Sequence, residues 1–389
     1  MKALRLAYVC ADPGVPVFGR KGCSIHVQEV IRALRKQGVD VTLFAARTEG
    51  TPPLDLEDLT IRPLPCPRGS NLAQRESAAR EANAALGSRL AGEGALDVIY
   101  ERYSLWSVAA QQFARDRGIP GLLEVNAPLV EEQAAHRGLI DREAAEDCAQ
   151  TVFHAASVLL PVSAEIERWL RETTRPGTAI EVVENGVDPG RFASPRATPP
   201  SDGTFTIGFV GTLKPWHGLP VLVEAFARIH SLIPQARLLI VGDGPERSSL
   251  EAQLAHHGLG ETTRFTGAVP PEAIPGLLEA MDVAVAPYPR REHFYFSPLK
   301  VYEYMAAGKP TVASRLGQIA QLIQHDGNGL LCEPGDPAAL AHQLLRLHRD
   351  PALCRRLGDA GRATILRSHT WDQVARRILH LARTTPVLS

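Results

Sequence analysis

The sequence has no excess of charge of either sign. Its 389 residues include 42 Lys and Arg against 43 Asp and Glu, which gives a net charge of −1 with His neutral. A protein that binds nucleic acid through its phosphates needs a strongly basic surface, and neither half of the chain has the composition for one. We therefore predict no nucleic-acid partner.

Long apolar runs and an N-terminal targeting segment are also missing. No stretch reaches the roughly 18 to 20 apolar residues that are needed to span a bilayer. Met1–Cys10 runs directly into a strand-like segment, without the layout of a signal peptide. These absences predict a cytoplasmic protein, although a peripheral contact with a membrane surface stays open.

The cysteines lack the spacing of a metal or redox motif. Six are scattered along the chain and none forms a CxxC pair. This pattern is typical of reduced, mostly buried thiols rather than of disulfides or of zinc ligands. No other clear ligand cluster is visible, so we predict no metal cofactor.

What the sequence does contain is a regular alternation of short apolar runs with segments of helical periodicity. The alternation stops at Asp188–Gly203, which is rich in Pro, Ser and Gly, and then restarts. Strands that alternate with helices predict a parallel sheet covered on both faces. We therefore predict two doubly wound α/β domains, at residues 1–195 and 196–370, and a last helix within 371–389 that packs back on the first domain.

The predicted elements follow this alternation in both halves. The predicted strands are Leu4–Cys10, Val39–Ala45, Asp97–Tyr100, Gly121–Val125, Val158–Val162, Phe205–Val210, Ala236–Val241, Thr263–Phe265, Asp282–Ala286, Thr311–Ala313 and Gly329–Leu331. The predicted helices are Ile25–Lys36, Leu105–Arg117, Glu131–Ala156, Ala164–Arg171, Leu219–Ile229, Glu246–His257 and Trp371–Arg383, and the tail from Asp336 onward is also predicted to be helical.

The loop Val17–His26 lies at the carboxyl end of the first predicted strand, where doubly wound sheets bind their ligands. Gly19 and Gly22 allow a ligand to approach the backbone, and the following helix offers free N–H groups to an anion. The loop lacks the GxGxxG pattern, which disfavours a nicotinamide-type dinucleotide site. A plain flexible connection is nearly as good an interpretation.

Two glycine turns follow strands of the second half. In the turn after Phe205–Val210, Gly211 permits close approach, Lys214 is a cation in reach of a phosphate and His217 is a second donor. The alternative for Lys214 is a solvated loop lysine. In the other turn, Gly242 is followed by an aspartate that is as suited to a helix start as to a ligand.

The richest segment precedes and opens a helix of the second half. Ser297 is a natural N-cap and Pro298 fits the first helical position, so we predict that the helix begins there. Its free N–H groups can hold a diphosphate, and Lys300 adds positive charge. Glu303 lies three residues further on, next to Lys300, and is suited to accept hydrogen bonds from a ribose diol. An ordinary surface ion pair between these two residues is the alternative.

In their order and spacing, the motifs resemble glycosyltransferase family 4, whose members are retaining enzymes of the GT-B architecture. The similarity covers nearly the whole chain. The matching segments are KGCSIHVQEV, ENGVD, GTLKPWHGLPVLVEAF, VGDGPERSSLE, FTGAVPPEAIP, DVAVAPY and EYMAAGKPTVAS. The resemblance implies two Rossmann-like domains that face each other across a cleft, with the acceptor bound by the first domain and the nucleotide-sugar donor by the second.

The resemblance also implies roles for individual residues. Glu303 is expected to hold the ribose hydroxyls, and Gly267 and Val269 are in the loop expected to line the base. The N–H groups around Ser297, Pro298, Leu299 and Lys300, together with Gly22, are expected near the diphosphate.

Three departures from the family pattern stand out. The family has Glu-x7-Glu, but Tyr295 stands where the first Glu belongs. The Arg and Lys of the family's glycine loop align with Thr212 and His217, which leaves Lys214 as the phosphate cation of that loop. A first-domain His of the family aligns with Asn126, beside Glu124.

From these observations we predict an enzyme that moves a hexosyl group from a nucleotide-diphosphate sugar to an acceptor, with retention of configuration and without a metal. Lys214, Lys300, Asn126 and Glu124 are the predicted catalytic residues, and Glu101 and Arg102 are further residues that could orient the acceptor. The acceptor itself, a glycan, a lipid-linked sugar or a small metabolite, is not predicted. A nucleotide-sugar epimerase and a non-catalytic sugar-nucleotide binding protein are the alternatives.

Overall fold

The computed structural model describes residues 3–192, 203–291, 294, 295, 297 and 299–387. The chain divides into two compact units. The first comprises Met1–Asn185, Tyr295–Ser297 and Trp371–Ser389, and the second comprises Gly186–Phe294 and Pro298–Thr370. The boundary predicted at residues 195 and 196 lies outside the described residues, as does most of the predicted linker.

The first unit is built on a parallel sheet of six strands in the order β3-β2-β1-β4-β5-β6. Its strands are β1 Arg5–Cys10, β2 Asp40–Ala45, β3 Thr60–Pro63, β4 Val98–Arg102, β5 Gly121–Val125 and β6 Val158–Pro161. Its helices are α1 Gly22–Lys36, α2 Leu72–Gly92, α3 Ala109–Asp116, α4 Leu129–His136, α5 Arg142–Ala155, α6 Ala164–Thr173 and α14 Trp371–Thr384.

The centre of this sheet is buried on both faces, as expected when every crossover helix packs against the sheet. Leu6 of β1 is opposite Val41 of β2 on one side and Val98 of β4 on the other. All three side chains are almost fully shielded from solvent. The strand order reverses between β1 and β4, so the loops that follow these two strands diverge at the carboxyl edge of the sheet.

The last helix, α14, belongs to the first unit, where it packs against α1. The Trp371 ring meets the His26 ring edge to face at 5.2 Å between centroids. Near the other end of α1, Lys36 Nζ lies 2.5 Å from a carboxylate oxygen of Asp372. Burial of the tryptophan, more than the exposed ion pair, stabilises this contact.

The second unit has its own parallel sheet of six strands, in the order β12-β11-β10-β7-β8-β9. Its strands are β7 Phe205–Val210, β8 Ala236–Val241, β9 Thr263–Phe265, β10 Val283–Ala286, β11 Thr311–Ser314 and β12 Leu330–Cys332. Its helices are α7 Leu219–Leu232, α8 Arg247–His256, α9 Ile274–Glu279, α10 Leu299–Ala306, α11 Gly317–Leu322, α12 Pro337–Arg349 and α13 Pro351–Ser368.

One apolar cluster forms the core beneath this sheet. Leu222 and Phe226 of α7 and Leu340 and Leu344 of α12 are at most 1% exposed, and they pack in one cluster with inward-facing residues of β7 and β8. The helical spacing of these residues explains why the sequence pattern located α7 so closely.

The parallel α/β architecture predicted for both halves is confirmed, but two helix predictions in the first half were wrong. The single helix predicted over Glu131–Ala156 is two helices, α4 and α5, because Gly138 between them adopts a left-handed φ of 81°. The helix predicted from Leu105 begins only at Ala109, because a turn with Trp106 at φ 75° precedes it. Strand β3 and helix α2 were not predicted.

Two further observations concern the described part of the chain. None of its helices combines the length and the apolar character that crossing a bilayer requires. The six cysteines all lie within it and none is joined in a disulfide.

Candidate functional site

Lys300, in the first turn of α10, carries a shielded cation without a hydrogen-bond partner. Its Nζ has almost no accessible surface and makes no hydrogen bond to any described residue. It lies over the ring of Phe209 at 4.1 Å from the centroid and near the ring of Tyr288 at 5.4 Å. Burial lowers the Lys300 pKa to about 7, against the opposing effect of Glu303. An amine so placed lacks the anion that would balance it.

The position of α10 is fixed by a buried tyrosine. The backbone N–H of Val210, the last residue of β7, donates to the Tyr304 hydroxyl at 2.8 Å. Tyr304 is fully buried, and its helix therefore begins close to the carboxyl end of β7. Lys300 is brought next to Gly211 in this way, since a Cβ added at Gly211 would be 2.9 Å from the lysine Nζ.

Three glycines that the sequence analysis singled out lie at this edge of the second sheet. Gly211 has φ 145° and Gly242 has φ 134°, and a Cβ at Gly242 would lie 2.1 Å from the carbonyl oxygen of Gly211. Gly267, with φ 70°, forms an isolated bridge with Gly242. A side chain at Gly242 would collide with the carbonyl of Gly211, and one at Gly211 would meet the end of the Lys300 side chain, so glycine lets these turns pack closely against each other and against α10.

His217 occupies this edge as a neutral ring. Burial and the nearby Lys300 lower its pKa to about 3. Its Nδ1 lies 2.5 Å from the carbonyl oxygen of Thr212, so the neutral ring donates through Nδ1 and leaves Nε2 as an acceptor. An acceptor nitrogen does not suit phosphate, and the geometry favours Lys300 over His217 for that role. Thr212 contributes its backbone and is exposed.

Lys214 and Asp243 lie on the loops that follow β7 and β8. The Lys214 ammonium is half-buried, 5.5 Å from the centroid of the Trp216 ring, and makes no hydrogen bond or ion pair within the described residues. Asp243 accepts a hydrogen bond from the backbone N–H of Gly244 at 2.8 Å and is not the N-cap of α8. Lys214 remains available to an anion, whereas both oxygens of Asp243 are engaged locally, since the second lies 3.6 Å from Arg247 Nη1.

Glu303, one turn after Lys300, is held by an arginine that the sequence analysis did not identify. Arg191 Nη1 lies 3.1 Å from Glu303 Oε1, and Nη2 of the same guanidinium donates to the carbonyl of Pro271 at 3.1 Å. Burial raises the pKa of Glu303, and Arg191 opposes that rise. The sequence feature that could have pointed to Arg191 is its position three residues after the Asn-Gly-Val-Asp element.

Ser297, Pro298, Leu299 and Val269 are the other residues that were predicted to bind the donor. Ser297 Oγ is buried and has no hydrogen-bond partner among the described residues. The helix begins at Leu299, and Pro298, predicted at its first position, lies outside the described residues. Val269 is half-buried in the loop after β9, two residues beyond Gly267.

Glu124, at the end of β5, is the centre of a buried polar cluster in the first unit. It is 3% exposed and accepts from Arg102 Nη1 at 2.8 Å, from Tyr100 Oη at 2.5 Å and from Asn126 Nδ2 at 2.5 Å. Burial alone would raise the Glu124 pKa, but its charged and hydrogen-bonding neighbours bring it below the usual value. Both Glu124 oxygens are engaged in this way, so Glu124 fixes the positions of Arg102 and Asn126.

His26 is part of the same cluster; the sequence analysis placed it at the end of the loop Val17–His26 and assigned it no role. Its ring is 3% exposed, with Nδ1 3.2 Å from Arg102 Nη1 and Nε2 3.5 Å from Glu124 Oε2. Burial lowers the His26 pKa to about 4, so the ring is neutral at pH 7. Gly22, four residues earlier, is the exposed first residue of α1.

Glu101 and Tyr295 have structural partners in the first unit. Glu101 is fully buried, accepts from Ser107 Oγ at 2.6 Å and from Gln111 Nε2 at 3.1 Å, and its burial raises the pKa to about 7. It ties the turn after β4 to α3. Tyr295, at the position of the family's first Glu, donates its hydroxyl to Glu132 of α4.

Comparisons with known proteins agree with this architecture. Residues 21–186 match the family model described as a glycosyl transferase 4-like domain, and residues 191–364 match that of the glycosyl transferases group 1. Each half of the chain is therefore similar to a glycosyltransferase domain. The two-domain α/β architecture is a GT-B fold, which is shared with HepE of Anabaena in complex with UDP, at a TM-score of 0.74 and 20% identity over 98% of this chain and 100% of that one.

Curated relatives include enzymes of different names. A glycogen synthase of Mycobacterium tuberculosis is 31% identical over 56% of this chain, and the match spans about half of that relative, 51%. A D-inositol 3-phosphate glycosyltransferase of Corynebacterium jeikeium is 28% identical over 90% of this chain and 88% of its own length. The similarity therefore extends across both units, at modest identity.

Proposed function

We propose that this protein transfers a hexosyl group from a nucleotide-diphosphate sugar to an acceptor, with retention of anomeric configuration and without a metal. The observation that carries the proposal is the Lys300 ammonium, shielded from solvent and without a hydrogen-bond partner in the described chain. A cation kept in such surroundings is costly unless an anion completes its site. The diphosphate of a sugar donor is that anion.

The diphosphate would lie at the N-terminus of α10, next to Gly211. The free N–H groups of the first helical turn and the lysine cation would both face the oxygens of the leaving nucleoside diphosphate. These oxygens gain negative charge as the glycosidic bond breaks. Donors already aimed at that charge stabilise the transition state more than the ground state, by a few kcal/mol each in typical enzymes.

The nucleoside would extend from this point across α10. The Glu303 carboxyl group, held by Arg191, would accept hydrogen bonds from the ribose diol, and the loop of Gly267 and Val269 would line the base. The glycine turns are partly exposed, and they present backbone rather than side chains to the ligand. The named HepE structure contains UDP, which supports a nucleotide site on this fold.

Catalysis would proceed without a divalent cation. Among the described residues no three His, Cys, Asp or Glu side chains group as metal ligands, and Lys300 together with Lys214 supplies the positive charge. The acceptor hydroxyl attacks the anomeric carbon from the face that the phosphate leaves. This attack on the same face retains the configuration, and an oxygen of the departing phosphate takes the hydroxyl proton. Asn126, held by Glu124, would orient the acceptor from the first unit.

Ligand binding and turnover together test this proposal. A thermal-shift screen with UDP, GDP and TDP should identify the nucleotide, since ligand at 100 times its Kd adds about 2.7 kcal/mol of stability. With the matching donor and a panel of acceptors, Lys300→Ala and Lys214→Ala should each lower kcat strongly and change the free energy of unfolding only slightly. Lys36→Ala, which removes an exposed ion pair, is the control.

The same assays contain the outcomes that contradict the proposal. If Lys300→Ala and Lys214→Ala both turn over normally, the phosphate assignment is wrong. Conversion of the donor without any acceptor would indicate an epimerase. Tight nucleotide binding with no transfer across the panel would indicate a non-catalytic binding protein.

A further inference from the structure

We propose that a cavity in the first unit binds the acceptor, and that the acceptor carries a phosphate monoester held by Arg75 and Arg137. The cavity has a volume of about 630 Å³, large enough for a sugar phosphate. The term acceptor rests on the proposed transferase function, whereas phosphate binding by these arginines does not.

The cavity lies where the sheet topology favours a ligand. Its walls come from the segments that follow β1, β2, β3, β4 and β5, at the carboxyl edge of the sheet. Asp12 follows β1 and Ser107 follows β4, so the cavity includes the point between these strands where the strand order reverses. Ligands of doubly wound sheets bind at this point.

The acidic side chains of the wall already have partners within the protein. Asp12 accepts from the backbone N–H of Gly14 at 2.6 Å, and Glu49 is paired with Arg47 at 3.0 Å. Glu76, only 4% exposed, accepts from two backbone N–H groups of the segment before α5, at 2.9 and 3.1 Å. Glu132 accepts from the hydroxyl of a tyrosine. The wall therefore contains no carboxylate without a hydrogen-bond donor.

The arginines of the wall differ from the acids in this respect. Arg47 is engaged by Glu49 and by the carbonyl of Pro13, and Arg68 lies near the same glutamate. The side chains of Arg75, on α2, and Arg137, directly after α4, are exposed and make no hydrogen bond or ion pair within the described chain, and both line the cavity. Two free guanidinium forks match the two negative charges and the planar oxygen pairs of a phosphate monoester.

A strained tryptophan forms another part of the wall. Trp106 has φ 75°, a conformation that is rare for a bulky residue. Asn83 holds it there, since its Nδ2 donates to the Trp106 carbonyl at 2.7 Å and its Oδ1 accepts from the N–H groups of Val108 and Ala109. Strain that neighbouring residues maintain is concentrated at functional sites. Helix α2 thus carries both Arg75 and the residue that fixes the turn of Trp106.

The test is titration calorimetry on the full-length chain, without donor. The probes are glucose 6-phosphate, glycerol 3-phosphate and inorganic phosphate, with neutral glucose as the comparison. We expect at least one phosphate probe to bind, and Arg75→Gln with Arg137→Gln to weaken that binding by about tenfold or more, as for loss of charge-assisted contacts. Arg89→Gln, an exposed arginine on α2 outside the cavity, should leave the affinity unchanged.

Four results would overturn the assignment: no phosphate probe binds, glucose binds as well as its phosphate, the double variant binds like the parent chain, or Arg89→Gln weakens binding equally. A further result would be that the protein binds phosphatidylglycerol vesicles through both arginines and binds none of the soluble monoesters. That result would contradict a phosphate monoester and indicate a lipid headgroup.

UDP titration of the same variants separates the two proposals. Normal UDP affinity with no phosphate site leaves the transferase intact, whereas absence of nucleotide binding contradicts the transferase alone.

Discussion

Arg191 joins Glu303 to the loop that ends at Pro271. Its guanidinium lies 3.1 Å from the carboxylate through Nη1 and donates to the Pro271 carbonyl through Nη2, also at 3.1 Å. Two segments more than thirty residues apart in sequence are thereby fixed by one side chain. If Glu303 holds the ribose and the loop lines the base, Arg191 sets the distance between the two halves of the nucleoside site.

Replacing Arg191 should therefore weaken nucleotide binding more than it weakens the fold. We expect Arg191→Gln to raise the Kd for UDP by about tenfold, because a partly buried, charge-assisted contact is lost. Arg191→Lys should recover only part of the affinity, since an ammonium cannot bridge both acceptors in the same plane. Titration calorimetry measures both, and Arg264→Gln, an exposed arginine of β9, is the matched control.

A double-mutant cycle separates this role from a general structural one. If Arg191 acts through Glu303, the loss of UDP affinity in the double variant should be smaller than the sum of the losses in Arg191→Gln and Glu303→Gln. Strictly additive effects would show that the two residues act independently.

Periodicity was enough to locate most of the fold. Strands β5, β7, β8 and β9 have the predicted bounds. Strands β5, β7 and β8 are largely buried apolar runs between turn residues, whereas β9 is a partly exposed strand at the edge of its sheet. Helix α2 could not be found in this way. It buries only three residues, Glu76, Leu86 and Leu90, so its sequence has almost no apolar periodicity.

The candidate site was predictable where single residues carry the chemistry. Lys300 and the glycine turns could be located from residue type and from their place after a strand. The partners of these residues could not. Arg191 meets a residue 112 positions away, and His26 meets an arginine 76 positions away, at distances that only the packing of the helices on the sheet determines.

The pKa of Lys300 predicts a pH dependence of nucleotide binding. In the free protein this pKa is about 7, and a bound diphosphate would raise it. Affinity for UDP should therefore be greatest below pH 7 and fall as the pH rises through that value. Binding near neutral pH should also take up a proton. Lys300→Arg, which stays charged, should lose the proton uptake that calorimetry in buffers of different ionisation enthalpy measures in the parent chain.

The ligand's own titration contributes equally to the parent chain and to Lys300→Arg, so the comparison isolates the lysine. Identical proton uptake in both proteins would contradict a shielded, partly neutral Lys300.

Glu101 predicts a pH dependence of stability instead. Its pKa is about 7 in the folded chain and near 4.5 when unfolded, so the folded state binds the extra proton between these values. Stability should therefore fall as the pH rises from about 4.5 to 7, by about 3 kcal/mol in total. Glu101→Gln should remove this fall and be more stable than the parent chain at pH 8. Urea denaturation across the pH range measures both, and equal slopes in the two proteins would contradict the prediction.

Replacing one residue of the Arg102–Glu124 ion pair should lower the free energy of unfolding more than replacing both. Glu124→Gln leaves the buried guanidinium without its counter-charge and should lower the free energy of unfolding by about 3 kcal/mol or more. Replacing both residues by methionine should cost less than the single change, because no unpaired charge remains buried. Glu146→Gln, which breaks an exposed pair with Arg142 on α5, should cost much less, because solvent screens that pair. Urea denaturation measures all three variants, and a single change no worse than the surface control would show that Glu124 is not held by its charge.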